Sequence, residues 1–215
     1  MMELTCSAVV FDCDGTLIDS ERVWLDLMAQ LAAERKLRAE DIGSVRGITA
    51  EEAAARLAAF TGERKDELGE EIDRRYSEAL ESISQPMPGV LELLESLDGV
   101  VPTAVATNGR RTDVEAMLDR VGVAKHMQHL LTIDEVECGK PEPDLYMRAC
   151  ATMGHRPSRV VVFEDSAVGA CAAHDAGCRV VGLGDDVPDE LIVARAPNLA
   201  TVRFDACRRA FTVQE

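Results

Sequence analysis

Five short apolar runs, rich in β-branched residues and separated by helical patterns, constrain this chain more than any other feature. They occupy positions 8–12, 103–107, 130–133, 160–164 and 180–183. Each is nearly continuous rather than alternating, the pattern of strands covered on both faces. Between them, Val114, Met117, Leu118 and Val121 recur at helical spacing behind a Thr112-x-x-Glu115 capping box. Tyr146, Ala149, Cys150 and Met153 repeat the pattern after Pro143, and Val168, Cys171 and Ala172 do so after Ser166, a suitable N-cap. Strands alternating with helices predict an α/β fold, a doubly wound, mainly parallel sheet of the Rossmann-like kind. Such sheets bind ligands beyond the carboxyl ends of their strands, where the strand order switches.

One segment interrupts the alternation. From about 20 to 84 only helical periodicity is visible: Trp24, Leu27, Met28 and Leu31 share a face. Thr49-x-x-Glu52 opens a second stripe of Ala53, Leu57 and Phe60, and Ile72, Tyr76, Leu80 and Ile83 form a third. The rigid stretch Gln85-Pro86-Met87-Pro88-Gly89 then marks a boundary. The expected organisation is a core of 1–18 and 88–215 with a helical domain, 19–87, inserted into it. A chain of 215 residues, 47% apolar, can bury one substantial core and a smaller companion. The charge-dense tract 63–75 reads as a solvated helix face.

Charge and cysteine usage narrow the partners. A formal charge of −16 argues against nucleic acid and anionic membranes, though a small phosphorylated ligand remains compatible with locally placed cations. The short apolar start, interrupted by Glu3 and Asp12, resembles neither a signal peptide nor a membrane span. Seven cysteines without C-x-x-C spacing suggest reduced, mostly buried thiols in a cytoplasmic protein.

Chemistry concentrates where the runs end. The first closes on Asp12-Cys13-Asp14-Gly15-Thr16, two carboxylates two residues apart. Crowded carboxylates repel unless a cation or shared proton offsets them, so the pair asks for a hard divalent metal and offers a nucleophile beside an acid/base. Thr107-Asn108-Gly109 closes the second run and could cradle an anion, although Asn-Gly is also a common turn. Lys140 stands in the rigid loop Cys138-Gly139-Lys140-Pro141-Glu142-Pro143, and Glu164-Asp165-Ser166 ends a buried apolar run. Two acidic groups there are costly without a cation.

Taken together, D-x-D-G-T-L-x-D-S, T-N-G, G-K-P-x-P and E-D-S in this order resemble the haloacid dehalogenase superfamily, specifically its phosphatase branch with a helical cap. The resemblance runs from Asp12 to about Leu183. It implies that Asp12 attacks phosphorus to give an aspartyl phosphate, and that Asp14 acts as acid and then base. It implies Mg²⁺ held by Asp12, the Asp14 carbonyl and Asp165, with Glu164 direct or through water. Thr107 and Lys140, with backbone donors near Asn108 and Gly109, would hold the transferring oxygens, and Gly15 would permit the turn. Arg46 and Gly47, on a loop between cap helices, and Trp24 are the candidate substrate contacts, while Arg46 reads equally as an exposed surface residue and Trp24, a helix-face aromatic, reads more readily as core.

The resemblance also discriminates among reactions. Dehalogenases and phosphonate-cleaving relatives lack the second aspartate, present here as Asp14. In the β-phosphoglucomutase branch a cap histidine lies about a dozen residues after the nucleophile, an offset that lands on Trp24. The expected activity is a Mg²⁺-dependent phosphatase acting on a small phosphorylated metabolite, a sugar or sugar-acid phosphate, in a monomer or weak homodimer. A mutase and a non-catalytic phospho-ligand binder are the alternatives.

Overall fold

A computed structural model describes residues 2–43, 45 and 48–213. The strands are β1 (Met2–Thr5), β2 (Ala8–Phe11), β3 (Thr103–Ala106), β4 (His129–Leu131), β5 (Val160–Glu164), β6 (Arg179–Leu183), β7 (Ala194–Ala196), β8 (Val202–Asp205) and β9 (Ala210–Val213). The helices are α1 (Ser20–Glu34), α2 (Ala50–Thr61), α3 (Lys65–Leu80), α4 (Val90–Leu97), α5 (Arg111–Arg120), α6 (Asp144–Met153) and α7 (Ala167–Asp175). Six strands form a parallel sheet in the order β4-β3-β2-β5-β6-β7. From β2 the chain winds outward through β3 and β4, then returns to β5 on the other side of β2. The strand order therefore switches between β2 and β5, and this is where the doubly wound sheet opens a crevice.

Continuous apolar runs make the central strands because both faces are covered. Ala8, Val10, Ala104, Ala106, Val160 and Val162 pack with Leu145, Tyr146, Ala149 and Cys150 of α6 and Ala170 and Ala173 of α7. The alternate residues face the other way, as the pleat requires. There Phe11 stacks on Phe163 with ring centroids 5.3 Å apart, and Phe163 meets Phe211 edge-on at 5.1 Å. Phe211 belongs to a separate antiparallel sheet of order β1-β9-β8. The sequence patterns above include neither that sheet nor β7 and α4. The strand runs are too short to stand out, whereas α4 does carry helical spacing in Val90, Leu93, Leu94 and Leu97, all buried.

Some local expectations need correction. α5 starts at Arg111, so Thr112 lies inside its first turn and makes no capping box; the Arg111 N–H is accepted instead by Asp134 Oδ2 at 2.8 Å. Val168 is exposed, because α7 turns its smaller residues Gly169, Ala170, Ala172 and Ala173 inward. Phe60 is likewise exposed, and Ile83 is buried but lies beyond the end of α3. By contrast, Thr49 accepts from the Glu52 N–H and Ser166 from Gly169, as capping residues do. All seven cysteines are free thiols, and four of them, Cys6, Cys13, Cys150 and Cys178, are buried.

The chain divides into two compact units, one of residues 1–18 and 85–215, the other Asp19–Ser84; the second division falls before Gln85 rather than after residue 87. Within the helical unit Trp24, Leu27, Met28, Leu31, Leu57, Leu68 and Ile72 share one core. The charged tract is less solvated than expected. Arg35 pairs with Glu63 at 2.8 Å and Glu71 at 2.7 Å, and Arg75 with Glu34 at 2.7 Å and Glu71 at 3.1 Å, lacing α1 to α3. Among the described residues, no helix is long and apolar enough to cross a membrane.

Two tests follow from this packing. Phe211→Ala removes the ring that joins the two sheets and should cost about 3–5 kcal/mol in urea unfolding, whereas Phe211→Leu should cost far less. Hydrogen bonds from Arg75 and Arg35 hold the Glu34 and Glu63 carboxyls below the usual value of 4.5. Their contribution is therefore present above pH 4.5 and is lost as pH falls below it. Unfolding followed by circular dichroism should find Arg75→Met less stable than the parent above pH 4.5, with the difference shrinking as pH falls below it.

Candidate active site

β2 delivers Asp12 to the centre of the sheet's carboxyl edge. Its N–H is accepted by the Phe163 carbonyl at 3.0 Å, which extends the β2–β5 ladder by one residue. The chain then turns sharply, with Leu17 and Ile18 both donating N–H bonds to the Cys13 carbonyl at 2.9 and 3.0 Å. Gly15 sits in this turn at φ +83°, and a Cβ there would collide with the Asp165 carboxylate. Glycine is thus required both by the backbone and by the neighbouring acid. The turn brings half-buried Asp14 to Thr107, whose hydroxyl donates to Asp14 Oδ2 at 3.1 Å. Thr107 follows β3 directly and is held in line by its N–H bond to the Leu131 carbonyl.

β5 supplies the acidic pair. Glu164, its last residue, is fully buried, and Asp165 is half-buried. Lys140 reaches the same point from the loop before α6, its side chain only 5% exposed. Its ammonium donates to Asp12 Oδ1 and, at 2.7 Å, to Glu164 Oε1. The loop itself is fastened by Asn108, whose side-chain oxygen accepts the Lys140 N–H at 2.8 Å while its amide donates to the Lys140 carbonyl at 3.1 Å. The four motifs separated in sequence thus converge on one strand-end cluster.

Charge dominates this cluster. Burial, followed by repulsion from Glu164, pushes the Asp12 carboxyl well above its usual range, against the pull of Lys140. For Lys140, burial works against the charged form, but attraction to Asp12 and Glu164 outweighs it and holds the ammonium well above the ordinary lysine range. One cation faces an excess of carboxylates. Asp12, Glu164 and Asp165 can each offer an oxygen within 4.8 Å of the others. An all-oxygen, net-negative, partly buried donor set fits a hard divalent ion such as Mg²⁺.

The remaining expected residues are placed as follows. The Asn108 side-chain amide fastens Lys140, and the Gly109 N–H is donated to Thr107 Oγ1 at 2.9 Å rather than left open to an anion. Trp24 lies in the core of the helical unit, with its indole N–H on the Val45 carbonyl at 2.7 Å and its ring edge-on to Tyr76. Arg46 and Gly47 lie outside the described residues. Sequence reasoning missed Tyr146, Ser166 and Gly169 as parts of the site. Tyr146 donates to Glu164 Oε1 at 2.7 Å, and the Ser166 N–H and hydroxyl donate to Glu164 Oε2 at 3.1 and 2.9 Å. Tyr146 had registered only as one apolar position of a helical stripe, and Ser166 only as a cap.

Known proteins are similar to this chain. Residues 6–177 match the haloacid dehalogenase-like hydrolase family. The validoxylamine A 7'-phosphate phosphatase of Streptomyces hygroscopicus subsp. limoneus is 36% identical over 178 residues, covering 81% of this chain and 84% of that one. The N-acetylmuramic acid 6-phosphate phosphatase of Pseudomonas aeruginosa is 30% identical over 190 residues, covering 85% and 84%. Among solved structures, a HAD family hydrolase of Deinococcus radiodurans R1 with bound phosphate and sodium superposes with a TM-score of 0.72 at 29% identity, over 89% of this chain and 90% of that chain. With its parallel sheet, its strand-end carboxylates and a family match over well more than half its length, the chain belongs to the haloacid dehalogenase-like hydrolases.

Proposed function

We propose that this protein is a Mg²⁺-dependent phosphatase of a small phosphorylated carbohydrate, working through an aspartyl phosphate on Asp12. The observation that carries the reading is buried Asp12, gripped by Lys140 and flanked by two further carboxylates at the ends of adjacent parallel strands. The names of the relatives, phosphatases of phosphorylated sugars or sugar-like compounds, support the substrate class. A cytoplasmic location and a monomer or weak homodimer accompany the reading, with residues 19–84 as the cap.

The chemistry follows from the side chains. An Asp12 oxygen bonds to phosphorus as the bond to the leaving alcohol oxygen breaks, and Asp14 passes its proton to that oxygen. Asp14 then takes a proton from water, whose oxygen displaces the Asp12 carboxylate and releases inorganic phosphate. Thr107, by donating to Asp14, turns its carboxyl toward this work. Lys140 sets its charge where the transferring oxygens gather, because phosphoryl transfer depends mostly on positioning and charge neutralisation. Mg²⁺, held by Asp12, Asp165 and the Asp14 carbonyl with Glu164 nearby, would neutralise the excess carboxylate charge and the phosphoryl oxygens.

Orthophosphate release from a panel of phosphorylated sugars, sugar acids and polyols tests the reading. Turnover should require Mg²⁺ and disappear with a chelator; equal rates without divalent metal would remove the metal from the account. Asp12→Asn should abolish turnover while leaving the circular dichroism spectrum unchanged. Asp14→Asn should slow alkyl phosphates by about 10²–10⁴-fold. In the first step, read as single-turnover release of the leaving group, it should slow p-nitrophenyl phosphate much less, because that leaving group needs no proton. The water-activating step is common to both substrates; equal losses in the first step would contradict the acid role.

A further inference from the structure

Lys140 has three N–H donors. Among the described residues, two of them go to Asp12 and Glu164. The Tyr146 hydroxyl is a further hydrogen-bond partner of the ammonium, so where the ammonium faces a phosphoryl oxygen depends on where Glu164 and Tyr146 sit. Glu164 is fully buried, and both of its oxygens are doubly engaged: Oε1 by Lys140 and Tyr146, Oε2 by the Ser166 N–H and hydroxyl. A Cβ at position 169 would overlap the carboxylate itself, so glycine there makes room for it. Ser166 is in turn held by the Gly169 N–H at 3.0 Å. Tyr146 meets the ammonium a second time, because Lys140 Nζ lies 5.0 Å from the centroid of its ring. A phenol that donates to the carboxylate while presenting its face to the cation restrains both members of one ion pair.

We propose that Tyr146 is a positioning residue of this site: its hydroxyl fixes Glu164, its ring supports the ammonium, and together they aim Lys140 at the transferring phosphoryl group. The inference rests on the phosphatase reading for the identity of that group. Its geometry is that of an outer-shell contact, and losing such contacts costs about 10–100-fold in affinity or activity. The two halves of the contact are separable. Tyr146→Phe keeps the ring and removes the hydroxyl, whereas Tyr146→Leu removes both.

The test uses p-nitrophenyl phosphate turnover and calorimetric binding of orthovanadate, both with Mg²⁺, and thermal unfolding as the folding control. Tyr146→Phe should lower kcat by about tenfold with little change in KM and weaken orthovanadate by a similar factor, and Tyr146→Leu should do more of both. Combined with Glu164→Gln, the loss from Tyr146→Phe should be far less than multiplicative, because the two act as one unit. Unchanged kcat and orthovanadate binding in a folded Tyr146→Phe protein would overturn the proposal. So would losses fully multiplicative with Glu164→Gln, which would show that Tyr146 does not act through Glu164. If the unsubstituted protein hydrolyses no phosphomonoester, the phosphatase reading fails, and the calorimetric arm still decides whether Tyr146 positions the anion site.

Discussion

Everything at the strand ends depends on the imbalance between one buried ammonium and the carboxylates packed around it. Charge removed from water must be matched nearby or neutralised. Lys140 matches part of it directly, through Asp12 and Glu164. The remainder is an acidic cluster that could hold a metal ion, and on the proposed reading that ion would in turn admit a phosphoryl dianion. The same imbalance explains why so many neighbours are committed to holding these groups still. Tyr146 and Ser166 hold Glu164, Asn108 holds the Lys140 main chain, and Thr107 holds Asp14.

The sheet makes such crowding possible. Parallel strands with matched register bring Phe11 beside Phe163 and Val105, so the residues just past them emerge together. Cover on one face comes from α6 and α7, whose small inward residues allow close approach; α7 in particular is built from glycine and alanine where it meets the sheet. On the other face Phe11, Phe163 and Phe211 form an aromatic ladder onto the antiparallel sheet. A rigid, doubly covered sheet is what lets ionic groups be held at hydrogen-bond distances, since loops alone would not restrain them.

The helical unit is stabilised by different means. Its apolar core is modest, and its periphery is laced by arginines that each contact more than one carboxylate. Such shared pairs restrain the relative placement of α1 and α3 more than isolated surface pairs would. Trp24 belongs to this economy of packing: its ring and its N–H are both engaged inside the unit.

Much was legible in one dimension. The continuous apolar runs specify buried parallel strands because only both-face burial tolerates them, and paired carboxylates at a strand end demand a cation whatever the fold. The acidic pairs Asp12–Asp14 and Glu164–Asp165 could be read in this way, since their chemistry is local. Thr107 and Lys140 gain a role only from the resemblance of the four motifs taken together, because alone they read as a turn and a surface charge. What the sequence could not determine was decided by through-space neighbours. The antiparallel sheet depends on β1 pairing with β9 across nearly the whole chain, and the start of α5 is set by Asp134, which lies 23 residues after the Arg111 it caps. Tyr146 reads as one more apolar helix position until α6 docks against the sheet and sets its hydroxyl on Glu164. Residue types and their spacing determined which chemistry is present; only tertiary packing decided which groups hold it in place, because hydrogen-bond partners distant in sequence become neighbours only in the folded chain.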